Sequence, residues 1–411
     1  MKHHMLMAGL LGLATLAAPL TSALAADPIR VGLITVRTGA LAGPGKQLEN
    51  GLDLFLQQQS GQVAGRKVEL IVLDSAGSPA MAKTKAQELV ERYHADLIIG
   101  PLASNEALTV QDYVRSVEIS LISGSALEED MTQRKATPWA VRATSTAAQL
   151  SHPFGDYAAK TLGFKRIATI ATDFAYGHAV VAGFQRTFEE AGGKVVKKIW
   201  APVNAVDFGS YIAQIPNVDA VYASFSGASA QNFIRQYAEY GKKGKIPLLT
   251  SHSVMDESMI QDMGDDAIGI LSSGHYNATI DNAANQAFVA AYRAKYGVEP
   301  GFYAAGGYTA GLFLKAALAK TGGAVEKVAL MKALHEVVLE ESPRGKITLD
   351  AYGNPITDVF IRKTERVNGR MQNTIVKVYP AVSQFWTYDP AQFLKDPVYS
   401  RDFPPAKNLE N

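Results

Sequence analysis

Residues 96–126 read DLIIGPLASNEALTVQDYVRSVEISLISGSA, and the order of residue types in this stretch decides the fold. A short run rich in β-formers at 96–100 is followed by a loop, Pro101 to Ser104, then by an amphipathic helical pattern at 105–114, and then by a second apolar run at 119–123. Continuous apolar runs of this length, joined through a helix, are what a parallel strand pair covered on both faces requires.

The same rhythm extends in both directions. Upstream, strands are expected at 29–35 and 66–74, with helices at 46–59 and 79–93. A strand-like run at 139–144 ends this first doubly wound unit. The pattern then restarts, with strands at 166–171, 194–200, 220–224, 246–250 and 269–274, and helices at 146–162, 176–191, 230–240 and 257–263. Three late helices, at 282–296, 303–321 and 326–337, have no full sheet of their own and must dock on an earlier unit. Strand-like runs at 359–363 and 374–379 close the chain. The fold class is therefore α/β: two doubly wound lobes joined by several crossovers, with a hinge and a cleft between them. The expected division is 26–144 plus about 277–345 in the first lobe, and 145–276 plus about 346–411 in the second.

The chain has 411 residues, and the first 25 read as a secretory signal: Lys2 and two histidines, an apolar run from Met5 to Ala18, and Ala23-Leu24-Ala25 as the small-residue cleavage pattern. Removing that leader takes one Lys from 40 basic residues and leaves 39 against 39 acidic, so no basic excess points to nucleic acid or an anionic membrane. No other run approaches the roughly 20 apolar residues of a membrane span. Export permits disulfides, yet the chain has no cysteine, so core packing alone must hold the fold and a cysteine-linked lipid anchor is excluded. A free periplasmic protein is expected.

In open α/β sheets ligands sit beyond the carboxyl ends of the strands, so chemistry is sought in the loops that follow them. Those loops, at 36–39, 101–104, 124–126, 173–177, 225–227, 251–253 and 275–277, are rich in hydroxyls, rings and His and poor in charge. The turn at 39–47 sits where a phosphate loop would, but Ala40 and Gln47 occupy its required Gly and Ser/Thr positions and Pro44 removes a backbone donor. No Gly-x-Ser-x-Gly elbow occurs, and His335-Glu336 lacks its second zinc histidine because Leu339 stands there. With six histidines scattered after the leader, no metal, cofactor or catalytic residue is expected. Ser104 opens a helix, whose free N–H groups and positive dipole end suit a carboxylate; as a plain alternative it caps that helix, while Ser125 makes a turn. Phe174 and Tyr176, Phe225 and Tyr276 each follow a strand of the second unit, where a ring either faces the cleft or joins the core.

The leader, the two-lobe pattern, Ile99 to Ser104, Ile122 to Ala126, Met131-Thr132-Gln133-Arg134 and Tyr176-Gly177 together resemble the leucine/isoleucine/valine-binding type of periplasmic solute-binding protein. The resemblance implies a receptor that closes two hinged lobes on a small molecule and delivers it to an inner-membrane ABC permease, without a cofactor and as a monomer. It implies a ligand corner at Ser104 and at backbone or hydroxyl groups of Ser125, Ala126 and Leu127, a cover at Tyr176, and a second wall along Phe225, Ser226 and Gly227; Ser123, just before the corner, is counted with it. Amino-acid binders of this type carry an acid after the strand at 246–250, to neutralise the ligand ammonium; here His252 stands there. An imidazole cannot replace that carboxylate. The expected ligand is accordingly an amine-free aromatic carboxylate of the benzoate or phenylpropanoid kind, with His252 hydrogen-bonding a ring hydroxyl or carbonyl. An amino-acid or amide receptor of the same architecture is the near alternative, and a secreted hydrolase the distant one.

Overall fold

Leu97, Ile98 and Ile99 are completely buried, as a strand covered on both faces demands. In the computed structural model, which describes residues 27–410, Leu97–Ile99 lies within a six-stranded sheet. Its spatial order is Gln62–Val63, Arg66–Asp74, Ile29–Thr35, Leu97–Ile99, Ser120–Ser123 and Ala140–Arg142, parallel throughout except for the first pair. A second sheet has nine strands. Its parallel part runs Leu271–Gly274, Leu248–Ser251, Ala220–Ser224, Arg166–Thr172 and Lys194–Ala201. Pro355–Val367 adds to it antiparallel and pairs with Arg370–Val382 in a hairpin. The two sheets make an α/β fold of two doubly wound lobes.

Each sheet buries both faces. In the first lobe, Val31, Leu33 and Ile99 pack with Leu48, Leu52 and Phe55 of the helix Ala42–Gln58 and with Ala310, Phe313 and Leu314 of Phe302–Lys320. The opposite face packs Ile98 and Leu121 with Ala107 and Val110 of Ser104–Val117. In the second lobe, one face holds Phe208, Phe225 and Phe233, and the other Phe154, Phe184 and Phe188. The late helices Ala283–Tyr296, Phe302–Lys320 and Lys327–His335 all contribute to the core around the six-stranded sheet.

Three crossovers join the lobes, and polar side chains tie them together. Arg344 on the third donates to the carbonyls of Ala143 and Thr144 on the first, at 2.5 and 3.3 Å. His275 on the second meets the hydroxyls of Thr144 and Ser145 at 3.3 and 3.1 Å. Burial holds that imidazole well below its ordinary pKa, so His275 is neutral.

The helix expected at 257–263 is only Ile260–Met263. The turn before it is held by long-range bonds instead, since Glu257 pairs with Arg362 at 2.8 Å, both fully buried. The short strands Val338–Leu339 and Ile347–Leu349 and the full 13-residue length of each hairpin strand were also not expected. The leader expected at 1–25 lies outside the described residues. Among the described residues no helix is long and apolar enough to cross a membrane.

Candidate functional site

Between the lobes lies a cavity of about 350 Å³ of atom-free space, partly open to solvent. The first lobe contributes Leu41, Leu102, Ala103, Ser104, Ser125 and Leu127, with Phe302 and Tyr303 from the start of a late helix. The second lobe contributes Phe174, Tyr176 and Ser226. No charged side chain stands among these described lining residues.

The first-lobe corner follows from the local fold. Ala103, not Ser104, is the N-cap of Ser104–Val117, and it makes no side-chain cap bond. Ser104 is therefore free of the capping role: its oxygen accepts the N–H of Leu127 at 3.0 Å, and its own proton remains available to an acceptor in the cavity. The Ser125 hydroxyl donates to the carbonyls of Pro101 and Leu102, at 3.3 and 3.2 Å, so it braces the loop. Ser123 donates to the Ala126 carbonyl at 3.2 Å; both residues are buried off the cavity wall. The start of Ser104–Val117 supplies unpaired N–H groups and a positive dipole end, which favour an anion. Glu106 in that first turn accepts the Ala103 N–H at 3.1 Å, and burial pushes its carboxyl up to about 7, so it opposes an anion with less than a full charge near neutrality.

The second-lobe wall rests on a chain of hydroxyls. Tyr176 meets Ser253 at 2.8 Å, Ser253 meets Ser251 at 3.0 Å, and Ser224 donates to Ser251 at 3.0 Å. Burial raises the Tyr176 phenol, against the pull of these serines, and keeps it protonated. Tyr303 faces Ser226 from the other lobe and is likewise raised by burial.

The remaining expected residues stand elsewhere. Phe225 packs between Phe208 and Phe233, with ring centroids at 4.9 and 4.8 Å, inside the second-lobe core. Tyr276 is wholly buried against Phe288 in the first-lobe core. His252 lies behind the wall, its ring edge-on to Phe302 at 4.1 Å. Burial and the nearby Arg362 charge hold its imidazole well below the usual value, so it is neutral. Leu41, Phe302 and Tyr303 were not anticipated; the only sequence signal was a pair of rings after Gly301 at a helix start.

The acids near His252 are committed elsewhere. Asp256 is wholly buried, and its carboxylate accepts the Phe302 N–H at 3.0 Å, Gln47 Nε2 at 3.1 Å and the Ser258 hydroxyl at 2.6 Å. It thus caps the first-lobe helix Phe302–Lys320 from a second-lobe loop. A side chain on Gly301 would collide with that carboxylate. The lobes also meet at Gly227, where an added Cβ would strike the Ala40 carbonyl of the first lobe.

A family model described as periplasmic binding protein matches residues 28–369. Among curated relatives, a Leu/Ile/Val-binding protein homolog from Brucella melitensis is 27% identical, over 84% of this chain and 90% of its own length. Among solved structures, an ABC-transporter solute-binding protein from R. palustris in complex with benzoate is 31% identical with a TM-score of 0.82, covering 87% of this chain and 98% of that one. Another, from Rhodopseudomonas palustris BisB5 in complex with 3,4-dihydroxybenzoic acid, is 34% identical with a TM-score of 0.83, covering 87% and 99%.

Proposed function

The chain belongs to the periplasmic binding protein family, a family of transport receptors rather than enzymes, and from that premise we propose that it closes on an aromatic carboxylate of the benzoate or phenylpropanoid kind and delivers it to an ABC permease. The observation that carries this reading is the uncharged wall of rings and hydroxyls. An α-amino acid would bury its ammonium with no carboxylate to meet it, and a buried unpaired charge is strongly unfavourable. An amine-free acid leaves nothing unpaired: its carboxylate takes the Ser104 proton and the N–H groups of the helix start, and its ring lies among Phe174, Tyr176, Phe302 and Tyr303. Burying a ring of about 150–250 Å² contributes roughly 4–6 kcal/mol. Two or three charge-assisted hydrogen bonds of about 1.5–3 kcal/mol each bring the gross figure beyond the roughly 8 kcal/mol of a micromolar complex, before association costs.

Closure is then a population shift. The acid docks on the first lobe, and the second-lobe contacts, gained only when the lobes meet, supply the differential affinity that closing requires. The deciding experiment is calorimetry of the mature protein with benzoate, hydroxybenzoates and phenylpropanoid acids against leucine, isoleucine and valine, alongside mass spectrometry of any compound carried through purification. Tight binding of the aromatic acids alone is expected. Tight binding of the aliphatic amino acids, with none of the aromatic acids, overturns the choice of ligand in favour of the amino-acid receptor.

Ser104→Ala separates an anchor from a brace. As an anchor, the hydroxyl contributes about 1.5–3 kcal/mol to an ionised carboxylate, a loss of roughly 10- to 150-fold in affinity, and much less to the matching amide. Equal losses for acid and amide would reduce Ser104 to its bond with Leu127.

A further inference from the structure

The family match ends at residue 369, yet the chain continues past the hairpin for a further segment, 383–410, that lies ordered across both lobes. On the second lobe, Phe385, Phe393 and Tyr399 are buried in the core that holds Phe154 and Phe184. Tyr399 meets His152 at 2.8 Å, Asp396 pairs with Arg186 at 3.0 Å, and Arg186 stacks over Tyr388 at 4.0 Å. At its end Glu410 pairs with Arg166.

The same segment also grips the first lobe. Arg134 donates to the carbonyls of Asp396, at 2.6 and 3.1 Å from two nitrogens, and of Phe393 at 3.1 Å. Gln384 donates to the Thr132 carbonyl at 2.9 Å. Thr132 and Arg134 stand in a loop between two strands of the first sheet. Gln111 fixes that loop to the first lobe by donating to the carbonyls of Met131 and Lys135, at 3.1 and 2.8 Å, and Met131 is buried in the first-lobe core. The guanidinium fork of Arg134, with Gln384 beside it, is therefore a polar link between a body anchored on one lobe and a loop of the other, a loop that also meets the second lobe directly where Glu129 accepts the Ala148 N–H at 2.7 Å.

We propose that residues 383–410 form an interlobe strap, a fourth and non-covalent connection beside the three crossovers, which biases the hinge toward the closed arrangement. In this proposal its bonds to the first lobe, present with the lobes in contact, part as the lobes open, so that breaking them removes free energy from the closed state alone. The strap acts whatever ligand the cleft takes.

The test is Arg134→Gln in the mature protein, which keeps a polar side chain and loses the fork, with Gln384→Ala as a second variant that cuts the other tie. Small-angle scattering of the unliganded protein is expected to show a larger radius of gyration for both variants. A scattering curve unchanged in both overturns the strap. With benzoate as the probe, affinity is expected to fall about tenfold through faster dissociation, since charge-assisted bonds of this kind shift an equilibrium by at least that factor. Unchanged benzoate affinity beside an expanded unliganded protein also overturns the closed-state bias. Failure of the parent to bind benzoate counts against the ligand assignment alone, because the scattering comparison decides the strap without it.

Discussion

Gly227→Ala is expected to weaken binding of the aromatic acid by roughly 30- to 140-fold while lowering the melting temperature of the empty protein by only a few degrees. Gly227 precedes the helix Ala228–Glu239 with φ 57° and ψ −138°, a region that residues with a side chain seldom enter. That strain is present in both the open and the closed arrangement and accounts for the modest loss of stability. The larger effect belongs to closure. A Cβ at this position would meet the Ala40 carbonyl and approach the ring of Pro44, both on the facing lobe, so the lobes must stop short. Stopping short withdraws Tyr176, Phe174 and Ser226 from the ligand. Losing about half of the ring burial, some 2–3 kcal/mol, gives the stated factor. Calorimetry and thermal unfolding on the same sample check both halves of the statement; parent-like affinity would mean that the ligand is held without the lobes meeting at Gly227.

The course of the chain was legible because parallel sheets announce themselves. Strands buried on both faces must be continuously apolar, and the helices between them must be amphipathic, so Ile29–Thr35 and Ala220–Ser224 stand where the pattern put them. The place of Ser104 on the cavity wall was legible too, since a serine at a strand-to-helix turn has few places to point. The rings were not. A ring just beyond a strand either turns outward to the cleft or folds back over the sheet, and a single residue step decides which. Tyr176 turns outward and is tied to Ser253, whereas Phe225 folds back onto Phe208 and Phe233. Tyr276 is likewise drawn into the core by Phe288, a helix later.

The acids after His252 were illegible for a different reason: their partners are distant in sequence. Glu257 is 105 residues from Arg362, and Asp256 is 46 from the N–H of Phe302 that it caps. Local propensity reads two acids before an apolar run as a helix start. Long-range pairing instead fixes them in a turn, with Asp256 bonded to Phe302 and Gln47 and one oxygen of Glu257 bonded to Arg362 and Asn373, and this is why none reaches the cavity. The strap has no periodicity to betray it, because Phe385, Phe393 and Tyr399 are spaced for one particular surface rather than for a helix or strand.

Arg362→Leu is expected to cost about 3–5 kcal/mol of stability, the penalty for leaving one member of a buried ion pair behind. For a lobe of this size that is a fall of roughly 6–20 °C in melting temperature. Arg362 donates to Glu257 at 2.8 Å, to the Tyr276 carbonyl at 2.9 Å and to Ser272 at 3.2 Å, so it fastens the turn behind the cavity to the sheet. Burial pushes the Glu257 carboxyl up to about 7 even though Arg362 favours its ionised form. A carboxyl raised above its unfolded value stabilises the fold below that unfolded value, and the contribution is lost as pH rises through the folded one. Without the guanidinium the folded value climbs further, and only the Asn373 amide, at 3.0 Å, still meets the carboxylate. The deficit against the parent is therefore smallest near pH 5, where Glu257 is protonated in the variant, and widens toward pH 8 with a limiting slope of about 1.4 kcal/mol per pH unit for one proton. Adding Glu257→Gln to the variant removes the titrating group, so the double variant is expected to regain stability at pH 8 and to lose the slope. A deficit that stays constant from pH 5 to pH 8 would show that Arg362 holds the turn through its bonds to Tyr276 and Ser272 and not through the buried charge.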